Sequence, residues 1–194
     1  EAIQIAKRLL PIIEKMAGKR HPLYAGQIAG LGDLHTLKGD NAEAKRLHTH
    51  ALKLREEILG REHADVASSL ASLSTVNINL ALYDEAEAQL KQALAIRTKV
   101  LPASDPNYGF TFVNLGRLQM MRSSLFEAET AFQQALDLFR RHLPAEHMFV
   151  PVTMNNLAEA KRALGRLPEA EALLREALAV SEKIYGLDSM PTAP

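Results

Sequence analysis

The chain has 194 residues, 47% of them hydrophobic and 5% aromatic, with 23 Lys+Arg against 23 Asp+Glu and no cysteine. The charge balance leaves no basic excess to draw the whole molecule to nucleic acid or to an anionic membrane. The lack of cysteine excludes disulfides, thiolate metal sites and cysteine nucleophiles. No apolar run approaches the roughly 18 residues of a membrane span. No signal peptide is visible, and a cytoplasmic location is the expectation.

Read in chain order, the sequence repeats every 42 residues. Residues 1–20 fit as the second half of a repeat, with Glu1, Ala2 and Leu10 in its columns. Four full repeats follow at 21–62, 63–104, 105–146 and 147–188, and 189–194 form a tail. His21, His63, Asp105 and His147 mark the same point in the four repeats. One alignment also matches Leu31, Leu73, Leu115 and Leu157, then Glu43, Glu85, Glu127 and Glu169. Two alanine columns recur as well: Ala44, Ala86, Ala128, Ala170 and Ala51, Ala93, Ala135, Ala177. Leu52, Leu94, Leu136 and Leu178 complete the pattern. Such self-similarity specifies stacked supersecondary units, none able to bury its apolar face alone. The stretch from 1 to 188 is expected to be one continuous stack, excerpted from a longer protein because it opens in mid-repeat.

Each repeat reads as two helices. In repeat two, Val66, Leu70, Leu73 and Val76 recur at helical spacing and define helix A. Ala86, Leu90, Ala93, Leu94, Ile96, Val100 and Leu101 define helix B. A break near Ala81–Leu82 matches Gly39, Ser123 and Gly165, where a left-handed residue ends a helix. Helix B should stop at Gly60, Pro102, Pro144 and Gly186. Proline is placed to open helices at Pro22, Pro106 and Pro168, and Asp105 is a good N-cap. Pro151 suggests a late start for helix A of repeat four. Pro11 falls inside the first helix B and predicts a kink or an early end. The alanine columns lie on nearly one face of helix B and let helix A approach. The repeated glutamate falls in helix B's first turn, where the helix dipole favours a negative charge.

Paired helices with small and apolar columns such as Leu73/Ser74, Ala86 and Ala93 resemble tetratricopeptide repeats. The standard unit of that family has 34 residues, and the extra eight add about one turn to each helix. The closer resemblance is to the 42-residue variety of kinesin light chains and many bacterial proteins. Its signature stands here as Asn155-Asn156-Leu157-Ala158, Gly165, Glu169-Ala170, Ala177-Leu178 and Gly186. Repeat two adds Glu85-Ala86 and Ala93-Leu94-Ala95-Ile96-Arg97. The resemblance implies an all-α, right-handed α-solenoid of stacked antiparallel helix pairs, a superhelix whose A helices line a concave groove.

It also implies a protein scaffold that binds a peptide or a partner helix in that groove. Carried over column by column, the groove positions are Gly26, Ala29, Gly30, Asp33 and Thr36 in repeat one, then Ser68, Ala71, Ser72, Thr75 and Ile78 in repeat two. Repeat three offers Phe110, Val113, Asn114, Arg117 and Met120. Repeat four offers Val152, Asn155, Asn156, Glu159 and Arg162. Asn114 and Asn156 hold the column where related proteins grip a peptide backbone, since an amide both donates and accepts. Their alternative use is bonding neighbouring helices. Arg117 and Arg162 suit a carboxylate, or else pair with Glu159 or Asp33. Phe110 and Val152 stand where chaperone-binding relatives carry the extra Lys or Arg of a carboxylate clamp, which weighs against that ligand. Phe110, Met120 and Met121 offer an apolar contact, with Met121 also readable as core.

The sequence points to no enzyme and no cofactor. It holds no phosphate loop, no dinucleotide fingerprint and no supported Ser/His/Asp pattern. His21, His63 and His147 lie one repeat apart. Helical layers are about 8–10 Å apart and zinc ligands lie about 2 Å from the metal, so these three do not share an ion. His48 and His50, two apart on a helix, point to different sides. The terminal Pro191-Thr192-Ala193-Pro194 matches a short sorting-adaptor motif and is read as chance. No nucleic acid or membrane partner is indicated. The rival to a groove-binding scaffold is a structural spacer, or a self-assembly segment of a larger bacterial regulatory or signalling protein. In that reading the uncovered ends, with Ile3, Ile5 and Leu9 at the first helix, drive self-association.

Overall fold

The structure is a computed structural model that describes residues 1–186. The described residues form nine α-helices and no strand: α1 (Ala2–Ala17), α2 (Pro22–Lys38), α3 (Asn41–Leu59), α4 (Ala64–Asn79), α5 (Tyr83–Val100), α6 (Asn107–Met121), α7 (Leu125–His142), α8 (Phe149–Ala163) and α9 (Leu167–Tyr185). Helices α2, α4, α6 and α8 are the A helices of the four repeats, and the helix after each is its B helix. The chain divides into two compact modules, Glu1–Pro102 and Ala103–Pro194. The 189–194 tail and its Pro-Thr-Ala-Pro motif lie outside the described residues.

Close approach of A to B is what each repeat is built on. Ala44, Ala86, Ala128 and Ala170 are buried, and so are Ala51, Ala93, Ala135 and Ala177. A second pair of columns obeys a size rule. Gly32 on α2 faces His48 on α3, and a Cβ at Gly32 would sit 2.8 Å from His48 Cε1. Gly116 on α6 faces Phe132 on α7 in the same way, at 2.5 Å. In repeats two and four the same columns read Ser74/Leu90 and Ala158/Leu174. Glycine appears only opposite a ring, so contact volume is conserved while its partition between the helices changes.

In the N-terminal module, Ile28, Leu31, Leu47 and Ala51 form one core with Ala6 of α1. Val66, Ala67, Leu70, Ala93 and Ile96 form the next, against Leu52. In the C-terminal module Phe132, Leu136, Phe139, Met154 and Leu157 are fully buried. Of the residues assigned to helix B of repeat two, Val100 departs: it is exposed at the last turn.

The A-to-B turn is the same backbone motif four times. Gly39, Ala81, Ser123 and Gly165 all have positive φ, between 58° and 81°. Each donates its N–H to the carbonyl three residues back, and the next residue donates to the carbonyl five back, as in Asp40 to His35 and Leu82 to Asn77. This is the Schellman closure of a helix C-terminus. Alanine and serine thus hold a conformation that costs an L-residue roughly 1–2 kcal/mol. Helix B stops in two ways. Gly18, Gly60 and Gly186 combine φ of 75–83° with ψ near 160°, a region open essentially to glycine alone. Where the column is Pro102 or Pro144, the preceding Leu101 or Leu143 turns extended instead, as a residue before proline prefers.

The recurring histidine is a helix cap. Nδ1 of His21, His63 and His147 accepts the N–H two residues on, at 3.2, 3.1 and 3.4 Å. Asp105 does the same through Oδ1 at 2.8 Å. Two proline expectations are narrowed by the structure. Of the kink or early end expected at Pro11, the early end is excluded, since α1 continues to Ala17. Helix α8 begins at Phe149, in register with Asn107 of α6. Pro151 lies in its first turn, where an N–H has no helical acceptor to lose, so it delays nothing.

Two predictions follow from this geometry. Ala81→Gly and Ser123→Gly should each stabilise the protein by about 0.5–1 kcal/mol, since relief of left-handed strain exceeds the added backbone entropy. Thermal melts with Gly39→Ala as the opposite control check this. Gly116→Ala should cost about 1–3 kcal/mol by pressing on Phe132, and Phe132→Leu in the same chain should recover most of the loss. A denaturant-unfolding double-mutant cycle measures the coupling.

Candidate binding face of the A helices

Within the N-terminal module the backbones of α2 and α4 approach one another, while those of α3 and α5 do not. The C-terminal module repeats this: α6 approaches α8, whereas the α7 and α9 backbones stand farther apart and are bridged by the long side chains of Arg140 and Glu176, 2.8 Å apart. The A helices therefore form the inner side of each module. Side-chain placement on that side differs sharply between repeats.

On α2 and α4 little functional polarity is free. Thr36 donates to the Gly32 carbonyl at 3.0 Å, Ser68 to Ala64 at 3.1 Å and Thr75 to Ala71 at 3.2 Å. These hydroxyls spend their hydrogen on their own helix and keep only acceptor capacity. Gly26 and Ser72 are half-buried, and Gly30 and Asp33 are exposed. Ala29, Ala71 and Ile78 are corrections: all three are buried, Ile78 at 5% exposure, and serve packing rather than a ligand.

On α6, Phe110 belongs to a three-ring cluster. Its centroid lies 5.1 Å from Phe139 and 4.6 Å from Phe149, the latter edge-on. Val113 and Met120 also pack against the core. Met121 is the reverse of the core reading, exposed on the surface. Asn114 and Arg117 are half-buried and each is already engaged by a neighbour. Burial lowers the Arg117 pKa from its ordinary value, though a guanidinium so basic stays charged.

On α8 the candidates come together. Asn155, Glu159 and Arg162 line an open cleft of about 320 Å³, with Ala158 and Leu174 of α9 as its apolar wall. Asn156 is half-buried beside them and Val152 is exposed. Glu159 and Arg162 are 3.8 Å apart and both mostly exposed, a pair held weakly enough to exchange partners. Leu174 was missed in the sequence reading. Its column is buried as His48, Leu90 and Phe132, yet Leu174 is 47% exposed.

A second network sits behind this cleft. Glu129 of α7 accepts Lys161 at 2.8 Å and Arg166 at 2.8 and 3.0 Å, and Lys161 also reaches Glu169 at 2.6 Å. The two carboxylates raise the Lys161 pKa, and Lys161 lowers that of Glu169. Lys161 shares a column with His35, bonded to Asp40 at 3.0 Å, and Asn77, bonded to Gln89 at 3.0 Å. The polar group at the end of helix A thus bonds to its own helix B, at the N-terminal end in His35–Asp40 and Lys161–Glu169 and farther along in Asn77–Gln89.

Beneath exposed Asp33 lies His48, 1% exposed, with Nε2 3.5 Å from Asp33 Oδ1. Burial, aided by the charge of Arg55, pushes the His48 pKa down to about 4. Above pH 6.5 the imidazole is neutral in both folded and unfolded chains. As pH falls from 6.5 to about 4, the unfolded chain takes up a proton that the folded one refuses, so stability falls across that window. The loss should approach about 3 kcal/mol, and His48→Leu should flatten it. Urea unfolding at pH 7, 5.5 and 4.5 is the measurement.

Comparison with known proteins adds the family context. A family model described as tetratricopeptide repeat matches residues 24–99, 107–183 and 149–193. No curated protein matches in sequence. Among solved structures, a Podosopora anserina putative kinesin light chain with nearly identical TPR-like repeats superposes with a TM-score of 0.63. It is 24% identical, over 94% of this chain and 86% of that one. BtubC (BKLC) from P. vanneervenii gives a TM-score of 0.73 at 20% identity, over 98% of this chain and 76% of that one. MamA gives 0.55 at 19% identity, over 94% and 88%. These likenesses concern the fold.

Proposed function

Because the chain belongs to the tetratricopeptide repeat family, whose members are generally protein–protein interaction modules, we propose that it is a scaffold binding an extended peptide or a partner helix along its A-helix side. The observation that carries this reading is the α8 cleft. There Asn155, Glu159 and Arg162 surround an apolar wall of Ala158 and Leu174. Asparagine amides offer a donor and an acceptor to a peptide unit. Arg162, only loosely held by Glu159, offers a guanidinium to an acidic side chain or a carboxylate. Ala158 and Leu174 supply the apolar contact that ligand sites combine with a few placed polar groups. Asn114 and Arg117 extend the same chemistry on α6. The A helices of the N-terminal module contribute shape and acceptors more than donors.

The second reading is a structural or self-assembly segment. It draws on α1, where Ile5, Leu9, Ile12 and Met16 stand exposed at 4-3-4 spacing, the seam pattern of paired helices. No helix of the described residues is long and apolar enough to cross a membrane, so this stripe is not a span.

Selection of a displayed random-peptide library on the immobilised chain tests the scaffold reading, with affinities of enriched peptides read by fluorescence anisotropy. Asn156→Ala combined with Arg162→Ala should weaken binding at least tenfold while circular dichroism stays unchanged. Peptides that bind parent and variant equally, or failure to enrich any, would overturn groove binding in favour of the structural reading.

A further inference from the structure

Repeat three differs from its sisters at a place away from the A-helix face. An open cleft of about 420 Å³ lies on α6 and α7, lined by Phe112, Leu115, Phe126 and Ala131 with Gln119, Glu127, Thr130 and Gln134. Phe112, Leu115 and Gln119 occupy a different side of α6 from Asn114 and Arg117. We propose that this cleft is a second recognition site, one that takes a single aromatic side chain bearing an N–H or O–H, tryptophan or tyrosine, from a partner polypeptide.

Three columns set this cleft apart from the equivalent places in the other repeats. The Ala131 column holds Leu47, Gln89 and Leu173, of which Leu47 is buried; shortening it to alanine removes the side chain that would fill the space. The Gln119 column holds His35, Asn77 and Lys161, each bonded to its own helix B or to the cap residue before it. Gln119 has no such partner among the described residues and lines the cleft instead. The Phe126 column holds Ala42, Asp84 and Pro168. Only repeat three places a ring there, 64% exposed, with the Arg166 guanidinium 5.8 Å from its centroid.

The lining selects the occupant. Two phenyl rings, one on each helix, favour an aromatic guest through offset or edge contacts worth more than area alone. The volume lies within the range of ligand-sized clefts. Gln119, Gln134 and Glu127 present acceptors, and Thr130 already donates its hydrogen to the Phe126 carbonyl at 2.9 Å. Covering Glu127 with a purely aliphatic side chain would strip its water and return no hydrogen bond. With the single carboxylate of Glu127 in the lining and the Arg166 guanidinium set against Phe126, the charges nearly balance and a neutral guest fits.

Titration of the ¹⁵N-labelled chain with N-acetyl-tryptophanamide, N-acetyl-tyrosinamide and N-acetyl-leucinamide tests the proposal. Saturable amide shifts confined to the neighbourhood of residues 112–134 are expected for the two aromatic probes, with the leucine probe at least fivefold weaker. Ala131→Leu restores the side chain of the sister repeats. It should weaken the aromatic probes at least tenfold while leaving the melting temperature equal or higher. Phe126→Ser, at an exposed ring that the fold does not need, should weaken them as well. Asn156→Ala, on the A-helix face, should leave them unchanged. The proposal is overturned by absence of saturable shifts at these residues, by a leucine probe as strong as the aromatic ones, or by folded Phe126→Ser binding like the parent.

Discussion

Two helices of one repeat can come close only where one of the facing surfaces is nearly bare. Everything regular about this chain descends from that steric condition. The alanine columns meet it on helix B, and the glycine, serine or alanine at the Gly32 column meets it on helix A. The size rule shows that volume across the contact, not residue identity, is conserved: His48 and Phe132 demand glycine, while Leu90 and Leu174 tolerate serine and alanine.

Close approach also fixes where helices must end. A helix one residue too long would carry its turn into the neighbouring layer, so each terminus has a dedicated device. Schellman closures end the A helices, glycine or Leu-Pro ends the B helices, and a histidine or aspartate caps each A helix. The histidine cap gives the recurring imidazole a structural occupation. Nδ1 accepts the backbone N–H, which puts the ring proton on Nε2. The same device explains why Asp105 replaces histidine without disturbing the repeat.

Most of the fold was legible because a repeat states its rules four times. A column that is always alanine, or always followed by a stop, can be read without coordinates. What was not legible were departures at single positions. Pro11 and Pro151 were read by local propensity, but α1 carries on past Pro11, and Pro151 falls in a first turn with no hydrogen bond to lose. Groove positions depart for another reason: a column fixes a direction on the helix without fixing exposure. Ile78, Ala29 and Ala71 lie in groove columns and are nonetheless covered, whereas Leu174, in a column buried in the other repeats, stands open. Asn155, Glu159 and Arg162 line one cleft, since exposed polar side chains three and four apart on one helix share a face.

Function in such an architecture has to be sought where columns disagree. A recurring residue is already committed to the contact that makes it recur, so its conservation across repeats speaks for packing. The end of helix A illustrates the distinction. His35, Asn77, Gln119 and Lys161 share a column and a polar character, and three of them bond to their own helix B or its cap residue. Polarity there is a structural requirement, met by different chemistry each time. The same column acquires a different meaning in repeat three, because Ala131 and Phe126 have changed with it and Gln119 lines a cleft. A lone substitution in a repeat is weak evidence, since packing tolerates exchanges of equal volume. Three coordinated ones, which remove a filler, release a polar group and expose a ring at one point, do not conserve volume. Packing alone gives no reason to keep them together.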